Sequence, residues 1–390
     1  LLKAGGAVFG QRGFRQASVA EICRRSRVAN GTFYQYFVDK EHIFLKLVER
    51  MTSQLQARLQ AAVDPAAPAL EQIKNSVRAH LELIGSQTAL YRVFREAEFL
   101  QPDLPHRLYG HLADFYQHIV QEGQNRGQLH PLNPETVAFA LIGLTEFIAL
   151  RYWFWDRQLP PRALKTVDDF LAHGLSSSKL PAKPTIQGAS SPVKDVEEPL
   201  SQGQRTRARL LTAAEGEFGQ KGFYDAQIVD IARRAGVAHG TFYTYFPSKE
   251  AMFIELVHEI NGQLRAHARA ATENLTDRRE IECAGFRAFF DFIQKHSQAY
   301  RIVREAEFVG PPSNTAGRWY YERLARGYIP ALAQAMAARQ IRELDPEALS
   351  YALMGIGHFI GLRWVLWEKQ PVPERVFESM MDFILGGLSL

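Results

Sequence analysis

Residues 1–50 align without a gap on residues 210–259, and half of the positions are identical. Phe9-Gly10-Gln11 meets Phe218-Gly219-Gln220, Gly13-Phe14 meets Gly222-Phe223, and Gly31-Thr32-Phe33-Tyr34 meets Gly240-Thr241-Phe242-Tyr243, all in one register. The same register carries Tyr91 to Phe99 onto Tyr300 to Phe308. Beyond it the alignment slips by three residues, so that Asn133-Pro134-Glu135 meets Asp345-Pro346-Glu347 and Arg151 meets Arg363. A loop change between helices explains the slip. A period of roughly 200 residues is far above the 20 to 50 of a solenoid, so the chain is read as two duplicated units, each able to bury its own core. Between them Ser176 to Gln204 is rich in Ser, Pro, Gly and Lys and poor in aromatic residues. As a flexible coil of roughly 28 residues it would span about 30 Å, or about 95 Å fully extended. The expected divisions are 1–50 and 51–176 in the first copy, a linker at 177–204, and 205–259 and 260–390 in the second.

Apolar residues recur at spacings of three and four, as in Phe44, Leu47, Val48 and Met51 or Phe139, Ile142, Gly143 and Phe147, and no alternating pattern persists. Breaks at Pro65 to Pro68, Pro102 to Pro105, Pro131 to Pro134 and Pro160-Pro161 predict about nine helices per copy and an all-α fold. Cys23 and Cys283 lie in apolar-periodic stretches, which supports neither a disulfide framework nor a cysteine metal site and fits a reduced, cytoplasmic setting. Cys23 aligns with Ala232, so core packing is favoured over a redox role. The apolar run from Val137 to Trp155 is interrupted by Glu146 and Arg151, which argues for a buried helix and against a membrane partner. No secretory signal is visible. The chain opens on Leu1-Leu2-Lys3 without Met, so a longer native N-terminus is expected. Patterns for phosphate-binding glycine loops, GxSxG and HExxH are missing, and His80, His106, His111, His118 and His130 lack metal-ligand spacing. Neither a cofactor nor an enzymatic activity is expected.

Ser18 followed by Glu21 has capping-box spacing and starts a helix through Ile22 and Arg25. Arg27-Val28-Ala29 makes a short turn, and a second helix is predicted from Asn30 to Phe37, with Asn30 suited to cap it. Phe33 and Phe37 share one face of that helix, leaving Thr32, Gln35 and Tyr36 on another. Two short helices across a tight turn, the second with an exposed small-polar and tyrosine face, suit a recognition helix in a major groove. Thr and Gln can meet base edges there, while tyrosine hydroxyls and Lys40 can reach phosphates. The second copy repeats the arrangement through Ile231, Arg233-Arg234, Val237-Ala238, His239, Thr241, Tyr243, Thr244, Tyr245 and Lys249.

GFRQASVAEICRRSRVANGTFYQYFVDKEHIF and GFYDAQIVDIARRAGVAHGTFYTYFPSKEAMF resemble the signature of the tetracycline-repressor (TetR/AcrR) family. The resemblance implies, in each copy, an N-terminal three-helix DNA-binding domain and a C-terminal helical domain that binds a small ligand and dimerises. It implies DNA contacts from Thr32, Tyr34, Gln35, Tyr36 and Lys40 and from Thr241, Tyr243, Thr244, Tyr245 and Lys249, with Asn30 and His239 opening the two reading helices. Departures are also present. Family members are usually single units that pair as homodimers, Gln227 stands where Ser18 caps, and Gly5-Gly6 weakens the expected first helix by up to about 1 kcal/mol per glycine.

The net charge of +4 is less informative than its placement. Residues 1–50 hold nine Lys or Arg against four Asp or Glu, and residues 205–259 hold seven against seven, so the first head is expected to supply more of the salt-dependent affinity. Arg24-Arg25 and Arg233-Arg234 read as a solvated helix face. The REAEF segments are open between scaffold and pocket: Arg92 with Glu96 and Arg301 with Glu305 have salt-bridge spacing, yet the resemblance puts them near a ligand cavity. On that second reading Arg95, Glu98, Tyr116, Trp153, Arg304, Glu307 and Trp364 would line sites for a small hydrophobic or aromatic effector. The clusters Arg151 to Trp155 and Arg363 to Trp367 favour core or a dimerisation bundle over a ligand cage. A ligand-responsive repressor follows, an intrachain pseudo-dimer, with further pairing of chains open, that reads two unequal half-sites of double-stranded operator DNA. Its rivals are an interaction or ligand-sequestering module whose heads no longer bind DNA and, more remotely, a helical enzyme. Activation in place of repression also stays open.

Overall fold

The computed structural model describes residues 1–101, 104–176, 201–310 and 315–390. Residues 177–200 of the expected linker, and Pro102 of one expected break, lie outside the described residues. Among the described residues each copy forms nine α-helices and no strand. The first copy runs α1 (Leu2–Gln16), α2 (Val19–Ser26), α3 (Asn30–Tyr36), α4 (Lys40–Ala62), α5 (Ala69–Ser86), α6 (Thr88–Glu96), α7 (Leu104–Asn125), α8 (Pro134–Ala149) and α9 (Pro161–Leu175). The second runs α10 (Gln202–Lys221), α11 (Ile228–Arg234), α12 (His239–Tyr245), α13 (Lys249–Thr272), α14 (Arg278–Lys295), α15 (Ser297–Glu305), α16 (Ala316–Ala337), α17 (Pro346–Gly361) and α18 (Glu374–Leu388).

Local sequence explains most of these boundaries. Asp39 and Ser248 accept hydrogen bonds from His42 N and Ala251 N and so start α4 and α13. Asn133 and Asp345 cap α8 and α17, each followed by a proline in the first turn, where the missing N–H costs nothing. Ser201 and Gln204 form a reciprocal capping box that opens α10, so this helix begins inside the stretch that composition assigned to the linker. The glycine pair Gly5-Gly6 does not interrupt α1, because the helix is buried there against Ile43 and Leu47 of α4.

The residues divide into two compact units, and the border does not follow the repeat. One unit comprises Leu1–Ala182 with Ile329–Glu368 and Val372–Leu390; the other comprises Lys183–Tyr328 with Lys369–Pro371. The first unit therefore packs α8 and α9 against α17 and α18. Where α8 crosses α17 the backbones touch: a Cβ on Gly143 would lie 2.1 Å from Gly355 O, and one on Gly355 would lie 2.0 Å from Gly143 O. Only glycine fits that crossing. Around it the contacts are reciprocal. Arg151 Nε donates to Glu347 at 2.9 Å and Arg363 Nε donates to Glu135 at 3.0 Å. Asn133 N donates to Ser379 Oγ at 2.7 Å and Asp345 N to Thr166 Oγ1 at 2.8 Å. Phe170 of α9 meets Phe383 of α18 edge to face.

Each of α8 and α17 continues through one π-helical turn, Leu150–Trp155 and Leu362–Trp367. The extended helices are long and apolar enough to cross a membrane, but 83% of each apolar window is buried inside the protein. The second unit has a core of Phe218, Phe223 and Phe253 joining α10 to α13, and Asn261 of α13 donates to Tyr320 O at 3.1 Å.

Candidate nucleic-acid interface

In the first head Ser18 accepts from Glu21 N at 3.2 Å, which fixes the start of α2. α2 ends at Arg27, whose left-handed backbone (φ 57°) turns the chain into α3. In the second head Gly236 supplies the same turn at φ 67°. Gln227 makes no side-chain cap at the start of α11, as its replacement of a serine suggests. Asn30 does not cap α3 as expected: Ala29 is the N-cap residue, and Asn30 is the first helical residue and exposed. The helix also stops at Tyr36, one residue short of the expected end, because Phe37 turns to extended backbone.

Phe33 and Phe242 are wholly buried and anchor the two reading helices. Tyr34 and Tyr36 are 59% and 67% exposed and Tyr243 is 52% exposed, with Gln35, Thr244 and His239 exposed beside them. Thr32, Thr241 and Tyr245 are half-buried. Each head thus presents aromatic and small polar side chains from one short helix, a surface whose donors and acceptors match base edges and phosphates.

Lys40 and Lys249 sit differently from the expectation of a free phosphate contact. Lys40 Nζ donates to Phe14 O at 2.9 Å and Ala17 O at 3.0 Å, with Arg15 O at 3.4 Å. Lys249 Nζ donates to Tyr224 O at 3.2 Å and Ala226 O at 2.9 Å. Burial lowers the pKa of both ammonium groups. Each lysine ties the start of its long helix to the turn that leads into α2 or α11.

Below that turn lies the first glutamate of each REAEF segment, shared by the two copies. Both Glu96 oxygens accept from Phe14 N, at 2.8 and 2.9 Å, and both Glu305 oxygens accept from Phe223 N, at 3.0 and 2.9 Å. Arg301 donates to Gly219 O at 2.9 Å, capping the end of α10. These segments therefore join each head to the helical domain beneath it. Burial is the chief cause that raises the Glu96 pKa to about 7, against the Phe14 hydrogen bonds and nearby Arg92, Lys40 and Arg15.

The heads differ in how their basic residues are partnered. In the second, Glu217 bonds both Lys221 (2.7 Å) and Arg234 (3.3 Å), and Asp230 pairs with Lys221 and Arg233. In the first, Val8 stands where Glu217 does, and Glu21 holds Arg12 at 3.0 Å while Arg24 lies 3.8 Å away.

The expected effector residues are only partly brought together. Arg95 Nε lies 3.6 Å from Glu146 Oε2, and Tyr116 is buried within electrostatic reach of the same carboxylate. Trp153 packs instead on Gly85 of α5. Trp364 is buried against Phe139, in the packing of α17 on α8. Glu98 is half-buried just past α6. Arg304 and Glu307 are half-buried in the second unit, at and just past the end of α15. Sequence reasoning missed His80, Tyr91 and Glu146, which form a buried polar cluster with Arg95. Glu146 carried a signal, since it is the one carboxylate inside the apolar part of α8.

The model of the tetR family of bacterial regulatory proteins matches residues 1–47 and 210–256. The HTH-type transcriptional activator FasR of Mycolicibacterium smegmatis is 36% identical over 188 residues, which make up 47% of this chain and 83% of that protein. The HTH-type transcriptional regulator EthR of the same organism is 26% identical over 193 residues, 48% of this chain and 87% of that protein. Among solved structures, the transcriptional regulator FadR from Bacillus subtilis in complex with stearoyl-CoA has a TM-score of 0.43 at 19% identity, covering 46% of this chain and 98% of that one.

Proposed function

The chain belongs to the tetR family of bacterial regulatory proteins, and from that premise we propose that it is a cytoplasmic DNA-binding transcriptional regulator whose two reading heads act from one chain as an intrachain pseudo-dimer. The reciprocal packing of α8 and α9 on α17 and α18 carries this reading. An interface in which each partner uses the same residues on the other is the signature of a two-fold dimer. Here both partners come from one chain, with Arg151 on Glu347 answered by Arg363 on Glu135.

The operator is then two related but unequal half-sites. Asn30 and Gln35 in the first reading helix become His239 and Thr244 in the second, which changes the groups offered to bases. Thr32, Tyr34, Tyr36 and their counterparts Thr241, Tyr243 and Tyr245 supply the shared contacts. Lys40 and Lys249 tie α4 and α13 to the turns before α2 and α11; Lys249 keeps one donor for phosphate, and Lys40 reaches phosphate by giving up a carbonyl. An effector taken up by the helical domains changes the spacing of the heads and releases DNA, so the regulator represses until the effector arrives. That FasR is named an activator makes the sign of regulation a result to be read from the test.

A second reading is favoured by Glu217: the second head, its basic residues partnered within the protein, engages DNA weakly or serves another contact. Footprinting on DNA upstream of the chain's own gene, with Tyr34→Ala/Gln35→Ala and Tyr243→Ala/Thr244→Ala compared, separates the two. Loss of a different half-site with each pair is expected. Protection unaffected by the second pair would establish the second reading, and a perfect palindrome tolerating equal mutation in both halves would remove the claim of unequal heads.

A further inference from the structure

We infer that the chain has one effector site, in the helical domain of its first copy, and that the occupant is an uncharged, largely apolar molecule carrying a hydroxyl or amide group. The inference rests on the ligand-responsive reading above and adds to it a ligand class and a stoichiometry.

Four helices, α5 to α8, bring His80, Tyr91, Arg95, Tyr116 and Glu146 into the interior of the first copy. The Tyr91 hydroxyl donates to Glu146, and His80 Nε2 lies 3.0 Å from the Tyr91 oxygen. Because the only proton on Tyr91 is given to the carboxylate, His80 Nε2 carries a hydrogen and donates. His80 Nδ1 is then a lone pair, and it is buried with no hydrogen-bond partner. Burial drives the imidazole pKa down to about 3, so the ring is neutral. The Tyr116 hydroxyl, fully buried, is likewise without a partner.

Buried polar atoms are almost always satisfied, and leaving one unpaired costs stability. The charges are already balanced, since the Arg95 guanidinium faces Glu146. A carboxylate brought here would meet Glu146, and an ammonium would meet Arg95. What remains to be satisfied is an acceptor nitrogen and a hydroxyl, which suits a neutral group that both donates and accepts. Around them Phe94 stacks on Tyr91 and Phe154 lies over Arg95, an apolar setting for the rest of the molecule.

The second copy answers the same positions with its own side chains. Tyr116 aligns with Tyr328, whose hydroxyl donates to Glu282, and Glu282 also accepts from Arg278 Nε at 2.8 Å. The first copy has Ala69 and Ile73 in place of Arg278 and Glu282. Conversely, His80 and Glu146 are replaced by Phe289 and His358. One tyrosine is open to a ligand; its twin is occupied.

Calorimetry on the full chain with decan-1-ol, decanamide, decane, decanoate and decylamine tests this, with native mass spectrometry counting bound molecules. Decan-1-ol and decanamide are expected to bind one per chain and at least tenfold more tightly than the other three. Tyr116→Phe, or His80→Phe, which installs the residue of the second copy, should weaken that binding at least tenfold, and Tyr328→Phe should leave it unchanged. Two molecules per chain, preference for a charged probe, indifference to both first-copy variants, or no uptake of any probe would overturn the inference. A gel shift with the upstream DNA keeps the two claims apart. One-per-chain uptake without any change in DNA retention ends the ligand-responsive reading and leaves the site. DNA release by decanoate or decylamine alone keeps that reading and ends the inference.

Discussion

Arg27 and Gly236 occupy the same turn of the two heads, at φ 57° and 67°, and only the glycine does so without a steric penalty. A side chain held in that region costs about 1 kcal/mol, so Arg27→Gly should stabilise the first head by about that amount in chemical denaturation, if the lost charge is neutral to folding. Glu96 makes a second residue-scale prediction. Its folded-state pKa, about 7, lies above its ordinary value, so the folded protein binds this proton more tightly than the unfolded chain. The resulting stability is fully present below the ordinary carboxylate range and is lost as pH rises through 7. Folding stability should therefore fall between pH 5 and pH 8 by an amount on the order of 2 kcal/mol, read as a lower melting temperature, and Glu96→Gln should flatten that slope. A slope unchanged by the substitution would exclude Glu96 as its source. Neither residue's role was fully legible in the sequence. The turn at Arg27 was, but not its left-handed backbone, and Glu96 stayed open between a salt bridge with Arg92 and a pocket, because spacing reports which residues share a helix face but not what crosses from another helix. The carbonyl partners of Lys40 were hidden for the same reason, since they lie 23 to 26 residues away.

Helices were the part of the structure most open to reading, since apolar spacing and proline breaks give nine per copy without tertiary information. Their ends were less so. Asn30 looked like a cap, yet the N-cap residue is Ala29, one position earlier, Asn30 opens the helix itself, and α3 is held by the burial of Phe33. The crossing of α8 and α17 could not be foreseen, because Gly143 and Gly355 read as ordinary helix positions until two backbones are seen to meet there. Gly143→Ala should force the helices apart, costing about 1–3 kcal/mol, and the loss should appear as a lower melting temperature with little change in helix content. If Ala is tolerated without loss, the close crossing is not what holds these four helices. The aromatic ends of α8 and α17 were read as core or interface, and Trp364 on Phe139 places one of them in the packing between the two helices.

At the scale of the molecule the duplication was plain in the sequence, and the inequality of the heads showed in their charge. The structure adds a mechanism for that inequality: Glu217 partners Lys221 and Arg234, where the first head has Val8. Glu217→Val should free Arg234, while Lys221 keeps Asp230, and steepen the dependence of DNA affinity on salt by about one in log–log slope, since each phosphate contact contributes roughly 0.9. An unchanged slope would mean that Arg234 does not face phosphate. One chain is thus assigned a task that takes two copies in a homodimeric regulator, and counting chains on DNA tests that assignment most directly. Native mass spectrometry of the full chain on the footprinted duplex should give one chain per duplex with both half-sites protected, whereas two chains per duplex, each protecting one half-site, would contradict it.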